Sequence, residues 1–328
     1  MLINVKKSFK KGANEMRKYL LPNKRQFKAN LHCHSTNSDG KLTVEQLKDA
    51  YKSHGYSILA YSDHNKLIPH NDLRDEKFMP ITSIEIDMTE HSPNWLYART
   101  YHINFFSKDP DRTEFIHVDR AYDPNVANDM IERASKEGFI AQYNHPRWSL
   151  QQPDDFLPLK GLTLFETYNT GCEIEMANGY ADYEYELMLT KGSRVFPSCT
   201  DDNHDFTPDF DSPYNDSFGG FDMICMDELD YNGFFKAVEN GDMYASTGPE
   251  IKALYVEDGK IHIECSPAKT IMMRTNGRLS GPVHSNNCDL TSFDFNIPAD
   301  TSWSFIRFEV WDNTGKAFTR AYDVSEIR

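Results

Sequence analysis

From about residue 28 to residue 200 the chain repeats one pattern, a short apolar run followed by a helix-like segment. The runs FKANLHCH, YSILAYS, PITSIEI, YHINFF, GFIAQYN, LTLFETY and RVFPSCT are rich in branched and aromatic residues, the composition of strands buried in a sheet. Between the first two lies LTVEQLKDAYKSHG, in which Thr43 and Gln46 make a capping box and Gly55 suits the helix stop. PNVANDMIERASKEG and the stretch around ANGYADYEYELMLTKG fit further helices. This alternation predicts an α/β fold with parallel strands, either a barrel or an open sheet. Residues 87–125 fit no helix well, and an irregular insertion is expected there. After about residue 248 the texture changes to alternating strand patterns separated by Asp-Gly, Asn-Gly and Asn-Thr-Gly turns. That stretch predicts a small all-β unit, a sandwich.

Residues able to do chemistry gather where the apolar runs stop. On a strand alternate side chains share a face, so His32 and His34 can reach one metal ion while Cys33 points the other way. Asp39 follows in the loop Ser38-Asp39-Gly40, where its carboxylate either returns to the strand end or serves the turn. His64 follows YSILAYS, Glu85 ends PITSI, His145 follows GFIAQYN, Glu166 sits late in LTLFETY, and Asp202 and His204 follow RVFPSCT. In α/β barrels the C-terminal strand ends face one common mouth, so groups from five runs would converge without being near in sequence. Asp63-His64 and Asp202-x-His204 put carboxylate beside imidazole, a pairing that supplies metal ligands or their supports. The alternative use of each Asp is a helix N-cap. Oxygen and nitrogen donors without cysteine suit zinc, manganese or iron in an open, hydrolytic site.

Charge narrows the partners. The net charge is −15, yet residues 1–28 carry nine Lys/Arg against one Glu, leaving about −23 on the rest. An acidic body disfavours extended nucleic acid and anionic membranes, leaving nucleotides or short oligonucleotides as the admissible nucleic-acid partners. The basic start reads as a partly frayed amphipathic helix, with an oligomer contact or a nucleic-acid tail as alternatives. No apolar run approaches the length of a membrane span, and the start lacks a secretory apolar core, so a cytoplasmic protein is expected. Six scattered cysteines read as free thiols.

LHCHSTNSDG, YSDHN, NHPRW and SCTDDNHD resemble, in order and spacing, the motifs of the PHP (polymerase and histidinol phosphatase) superfamily of metal-dependent hydrolases. The resemblance covers residues 28–247, including the tail FFKAVENGDMYASTGPEI, between a basic segment 1–27 and a β domain 248–328. It implies a distorted (β/α)7 barrel holding two or three divalent metals, commonly zinc, manganese or iron. The ligands it implies are His32, His34, Asp39, His64, Glu85, His102, His145, Asp202 and His204. His102 is preferred to His91 because it opens YHINFF, whereas His91 lies in a polar, Pro-containing stretch. Asp202 is preferred to Asp201 by the Asp-x-His spacing. Ser62 stands where the family more often has Thr.

Asp63 is expected to orient its neighbour or a bound water. Arg147 either pairs with a substrate phosphate or carboxylate, or is a surface arginine beside Trp148. Glu166 and Asn169 are expected near the same mouth as supports or substrate contacts, Asn169 also suiting a helix cap. The leading function is hydrolysis of a phosphate ester, most simply a small phosphomonoester. The alternatives are a phosphodiesterase or exonuclease on short nucleotides, an amide, carbamate or ester hydrolase, and a noncatalytic metal-holding protein.

Overall fold

The computed structural model describes residues 17–207, 209–278, 280–299 and 302–328. Strands β1 (Lys18–Leu21) and β2 (Arg25–Asn30) precede helix α1 (Val44–Ser53), β3 (Ile58–Tyr61), β4 (Met79–Thr89) and β5 (Thr100–Ser107). Then come α2 (Pro124–Lys136), β6 (Phe139–Tyr143), α3 (Pro153–Phe156), β7 (Leu164–Asn169), α4 (Thr170–Met176), α5 (Asp182–Thr190) and β8 (Phe196–Thr200). After β9 (Phe221–Met226), α6 (Tyr231–Asn240) and β10 (Met243–Ser246) the chain is almost all strand. These are β11 (Ile251–Glu257), β12 (Lys260–Ala268), β13 (Thr270–Thr275), β14 (Ser280–His284), β15 (Leu290–Asn296), β16 (Ile306–Trp311) and β17 (Lys316–Thr319), followed by α7 (Val324–Ile327).

Local chemistry accounts for the helices that flank the site. The capping box of α1 is formed in both directions, Gln46 N–H donating to Thr43 Oγ1 at 3.3 Å and Thr43 N–H to Gln46 Oε1 at 2.9 Å. Helix α2 starts with the Asp123 carboxylate on the Asn125 N–H at 2.7 Å and Pro124 in its first turn. It buries Ala127, Met130, Ile131 and Ala134, the i, i+3, i+4, i+7 stripe. Both helices end on a glycine in the left-handed region, Gly55 at φ 82 and Gly138 at φ 85.

The largest sheet has 13 strands in the order β14-β13-β16-β17-β10-β9-β2-β3-β4-β5-β6-β7-β8. Its directions are mixed. β2, β3 and β4 are parallel, and so are β6, β7 and β8, but β5 runs against both β4 and β6. The all-parallel expectation therefore fails at β5, because the link from Thr89 to Thr100 is too short for a helical crossover and returns as a hairpin. The same hairpin corrects the expected irregular insertion. Residues 90–99, apart from a 3-10 turn at Trp95–Tyr97, and residues 108–123 lack helix and strand.

Residues of β2 to β7 and β9 meet in one apolar cluster, among them Phe27, Ile58, Ile81, Phe106, Leu164 and Ile224, which requires the sheet to curl around them. Its two ends approach each other. Cys33, beyond β2, forms an isolated parallel bridge with Asn203, beyond β8. On β9, the Asp222 carboxylate accepts from the Ser198 hydroxyl at 2.6 Å and from Cys199 N–H at 3.2 Å, both on β8. No ladder joins β8 to β9 or β2 among the described residues, so in place of the expected (β/α)7 barrel there is a curled mixed sheet without a closed ladder.

A second sheet, β1-β11-β12-β15, packs on the far end of the first through Leu21, Leu254, Ile263, Ile271, Phe308 and their neighbours. This is the expected sandwich, with two differences. Its first strand comes from the basic N-terminal segment, where residues 18–21 are strand and not helix. Residues 1–16 of that segment lie outside the described residues. The other layer of the sandwich is continuous with the large sheet through the β10–β17 ladder. Among the described residues no helix is long and apolar enough to cross a membrane.

Candidate metal centre

The chain leaves β2 and continues extended through Leu31–His34, held on both sides. Ser62 N–H donates to the Cys33 carbonyl at 2.9 Å, Asp202 N–H to the His32 carbonyl at 2.9 Å, and His34 N–H to the Asn203 carbonyl at 3.2 Å. The strand ends of β3 and β8 thus flank the His-Cys-His segment directly. Cys33 turns into an apolar cluster with Tyr51 and Tyr61, leaving His32 and His34 on the opposite face, as the alternation demands. His64 forms a parallel bridge with Glu85. Because β5 is antiparallel, its beginning lies at the mouth formed by the ends of the parallel strands. His102, near that beginning, sits opposite Asp87 in the ladder and brings Nδ1 to 3.1 Å from Glu85 Oε1.

Four overlapping groups result, each with its donor atoms within 4.8 Å of one another: His34, Asp39, His64 and His204; His32, His34, Glu85 and Asp202; His32, His145 and Glu166; His64, Glu85 and His102. All nine ligands expected from the sequence fall in these groups, with Glu166 added. His32 Nε2 lies 3.0 Å from Asp202 Oδ1 and 3.3 Å from Glu85 Oε1. His34 Nε2 lies 2.9 Å from Asp202 Oδ1 and 3.2 Å from Glu85 Oε2. On the outer side Asp39 stands 3.5 Å from His204, 3.7 Å from His34 and 3.8 Å from His64. His145 Nε2 is 3.6 Å from Glu85 and 3.7 Å from Asp202.

These contacts have the chemistry of a cation site. His32 Nε2 and His34 Nε2 point at each other across 3.2 Å, although neutral imidazole offers only one N–H. Glu85 Oε2 is buried and near two imidazole nitrogens, yet has no aligned hydrogen-bond partner. A divalent cation would draw converging imidazole nitrogens and an orphaned carboxylate oxygen together, so the residues fit such ions, with only nitrogen and oxygen donors in the groups.

Protons reveal the same surplus of donors. Burial would push His34 down, but hydrogen bonds and charge from Asp202 and Glu85 outweigh it and carry the imidazole up to about 10. His32 is likewise raised against its burial by Asp202, Glu85 and Glu166. Burial would push the Glu85 carboxyl up, yet His32, His102 and His64 pull it well below the usual range. His64 goes the other way, to about 4, through burial and repulsion from His34 and His102 despite Glu85.

Supporting groups lock the rings. His32 Nδ1 pairs with Glu166 Oε1 at 2.9 Å, which turns Nε2 toward the cluster. Glu166 also accepts from His145 N–H at 2.8 Å, from Asn169 at 3.0 Å and from the Thr200 hydroxyl. Asn169 both caps α4, accepting from Cys172 N–H at 2.8 Å, and donates to Asp202 at 3.0 Å. Asn144 donates to Glu85 Oε1 at 2.9 Å, and Ser149 pairs with His145 Nδ1 at 3.1 Å. Sequence reasoning missed Asn144 and Ser149; the only signal was their place beside His145.

His145 and Asp202 adopt φ of 25° and 52°. For a histidine before proline this is costly, on the order of 1–3 kcal/mol, and it persists because Glu166 and the Ser149 N–H grip its backbone.

Two sequence expectations are redirected. Asp63 accepts from the Ser35 and Ser38 N–H groups at 2.8 and 3.2 Å and from both hydroxyls. It therefore shapes the loop that carries Asp39. Arg147 does not enter the mouth. The tight turn after His145 sends its guanidinium to Glu184 on α5 at 3.0 Å. The two competitors lie elsewhere. His91 is exposed and outside the groups, and Asp201 is consumed by Tyr51, Thr170 and the N–H groups of Phe218 and Gly220.

A cavity of about 470 Å³ opens over the groups, lined by His64, His102, His145, Asp202 and His204 with Trp148 at its wall. No family model and no curated protein matches this chain. The chain is similar to three solved structures. One is a two-domain protein from Bacteroides vulgatus, described as containing a predicted PHP-like metal-dependent phosphoesterase. It is 15% identical with a TM-score of 0.48, the match covering 95% of this chain and 100% of that one. An amidohydrolase from Chromobacterium violaceum is 14% identical with a TM-score of 0.34, over 54% of this chain and 87% of that one. A metal-dependent phosphoesterase candidate from Bifidobacterium adolescentis is 13% identical with a TM-score of 0.35, over 54% and 87%. At these identities and scores, the functional reading rests on the site itself.

Proposed function

We propose that this protein is a metal-dependent hydrolase of the PHP type that cleaves phosphate esters, most simply a small phosphomonoester. One observation carries the reading: nine side chains from separate sequence positions place nitrogen and oxygen donors in overlapping groups around Glu85, under an open cavity. Two or three zinc, manganese or iron ions are the cofactors such a donor set suits. When bound, divalent ions of this kind acidify water and neutralise charge on a phosphoryl oxygen. The chain's own part is to hold the donors. Glu166 fixes the tautomer and tilt of His32, Ser149 does so for His145, and Asp63 sets the Asp39 loop. Trp148, against His102 and His145, narrows water access from one side.

In this reading residues 28–247 form the PHP barrel and residues 248–328 a β unit docked on it. Five buried free thiols and one half-buried one suit a cytoplasmic location. Small phosphorylated molecules are the partners, with nucleic acid limited to nucleotides or short oligonucleotides.

A second reading, hydrolysis of a carboxylic ester, carbamate or amide, is favoured by one fact. Among the described residues none lining the cavity is Lys or Arg, so a dianionic group would meet no lysine or arginine of theirs there. The test is a substrate panel on metal-loaded protein. p-Nitrophenyl phosphate should be cleaved faster than its bis-ester, and His32→Ala should abolish turnover together with metal binding. Preference for the bis-ester moves the assignment to a phosphodiesterase. Turnover of aryl esters or carbamates alone overturns the phosphoesterase reading.

A further inference from the structure

Beside the metal mouth lies a second hollow of about 530 Å³, and the two share His64, His102, Trp148 and Glu175. Its outer wall is Trp95 and Leu96 from the β4–β5 connection, facing Leu150 and Met176. Trp95 is 72% and Leu96 59% exposed, so large apolar side chains stand uncovered next to metal-binding histidines. Much of the hollow's polar lining is already engaged. Thr89 and Thr100 pair their hydroxyls at 2.8 Å. Asp87 takes hydrogen bonds from Asn65 at 2.8 Å and Arg120 at 3.2 Å, and the Trp148 indole N–H donates to Glu175 at 2.8 Å. Among the described residues none that lines it is Lys or Arg. An occupant reaching from this hollow to the His64, Glu85 and His102 group is therefore apolar at one end and reactive at the other.

We propose that the hollow receives the organic part of the substrate, and that this part is an apolar alkyl or aryl group, not a sugar or nucleoside. The assignment rests on the hydrolase reading above and deepens it. Water adds to phosphorus as the ester P–O bond breaks; the products are phosphate and the apolar alcohol, whose oxygen takes up a proton from the water. A sugar would find acceptors only at the second oxygens of Asp87 and Glu175, its other hydroxyls facing engaged or apolar walls, the costly case of unpaired buried polar groups.

The test is a series of n-alkyl phosphates, methyl to octyl, on metal-loaded protein, with the matching alkylphosphonates titrated calorimetrically. The leaving alcohols beyond methanol differ little in acidity, so chain length reports burial. kcat/KM should rise about threefold to fourfold for each methylene buried, and glucose 6-phosphate should rank with methyl phosphate. Leu96→Asp should flatten the slope, a ratio read within one variant so that any general loss cancels. Turnover that is flat with chain length overturns this assignment and leaves the hydrolase reading intact. A slope that survives Leu96→Asp also overturns it. If no ester is cleaved but phosphonate affinity climbs with length and flattens in Leu96→Asp, the apolar site stands and the hydrolase reading falls. Neither turnover nor length-dependent binding removes both.

Discussion

Glu85 Oε1 faces His102 and Asn144 while Oε2 faces His34 and His64, so one carboxylate spans two groups of donors. Its reach depends on rings that are themselves held, and the most engaged holder is Glu166. We expect Glu166→Gln to lower metal affinity by about 10- to 100-fold, because the His32 tautomer loses its charged partner. Competition against a chromogenic chelator measures this, and unchanged affinity would show that Glu166 only packs. Arg147 is the opposite case. Replacing it with Ala should change turnover by less than about twofold and cost about 0.2–1 kcal/mol, the ordinary worth of an exposed ion pair. A tenfold loss in kcat/KM would mean its guanidinium reaches substrate after all. Only Arg147 lies beside a donor in sequence, two residues after His145, whereas Glu166 sits in a strand of its own. Sequence adjacency misled for Arg147, whose guanidinium turns away to Glu184, while the buried Glu166 reaches His32.

At the level of elements, the hairpin β4–β5 and the junction of β8 with β9 set the mouth. The antiparallel hairpin puts His102, near the start of β5, at the same end of the sheet as Glu85, where a parallel β5 would have its C-terminal end. At the junction a buried side chain stands in for a ladder. Burial pushes the Asp222 carboxyl well above its ordinary 3.8, so it folds in as the neutral acid. The unfolded chain gives up that proton near 3.8 while the folded one keeps it, so this group's contribution to stability is full below 3.8 and declines as pH rises toward the folded value. Asp222→Asn should keep both hydrogen bonds and cost less than about 1 kcal/mol, while Asp222→Leu, leaving Cys199 N–H and Ser198 unpaired, should cost about 1–3 kcal/mol for each group. Urea titrations at pH 4 and pH 7 check the sign: Asn gains on wild type as pH rises. Equal pH slopes for the two proteins would sink the neutral-acid account.

Across the whole molecule, the β10–β17 ladder and the Arg307–Glu186 pair at 2.6 Å join the C-terminal strands to the part that carries the donor groups. Tyr244 of β10 belongs to the apolar cluster of the C-terminal sandwich. We therefore expect one calorimetric transition for the full chain, and no cooperative folding of a chain ending at residue 247, which would expose the edge of β10. Two resolved transitions, or a folded 1–247 fragment, would make the units independent. The sequence alone determined the donors and their order, because imidazole–carboxylate pairs at the ends of apolar runs are local patterns of residue type. It also determined the strand–helix alternation, the capped helices and the β texture after residue 248, all set by short-range periodicity and turn chemistry. Tertiary structure decided the reversed direction of β5, the recruitment of β1 into the second sheet, the sheet ends meeting at Cys33 and Asn203, the turning away of Arg147 and the apolar hollow beside the donors. Each of these depends on which distant segments pair and which way a side chain leaves a strained backbone, and nothing in local residue spacing encodes that.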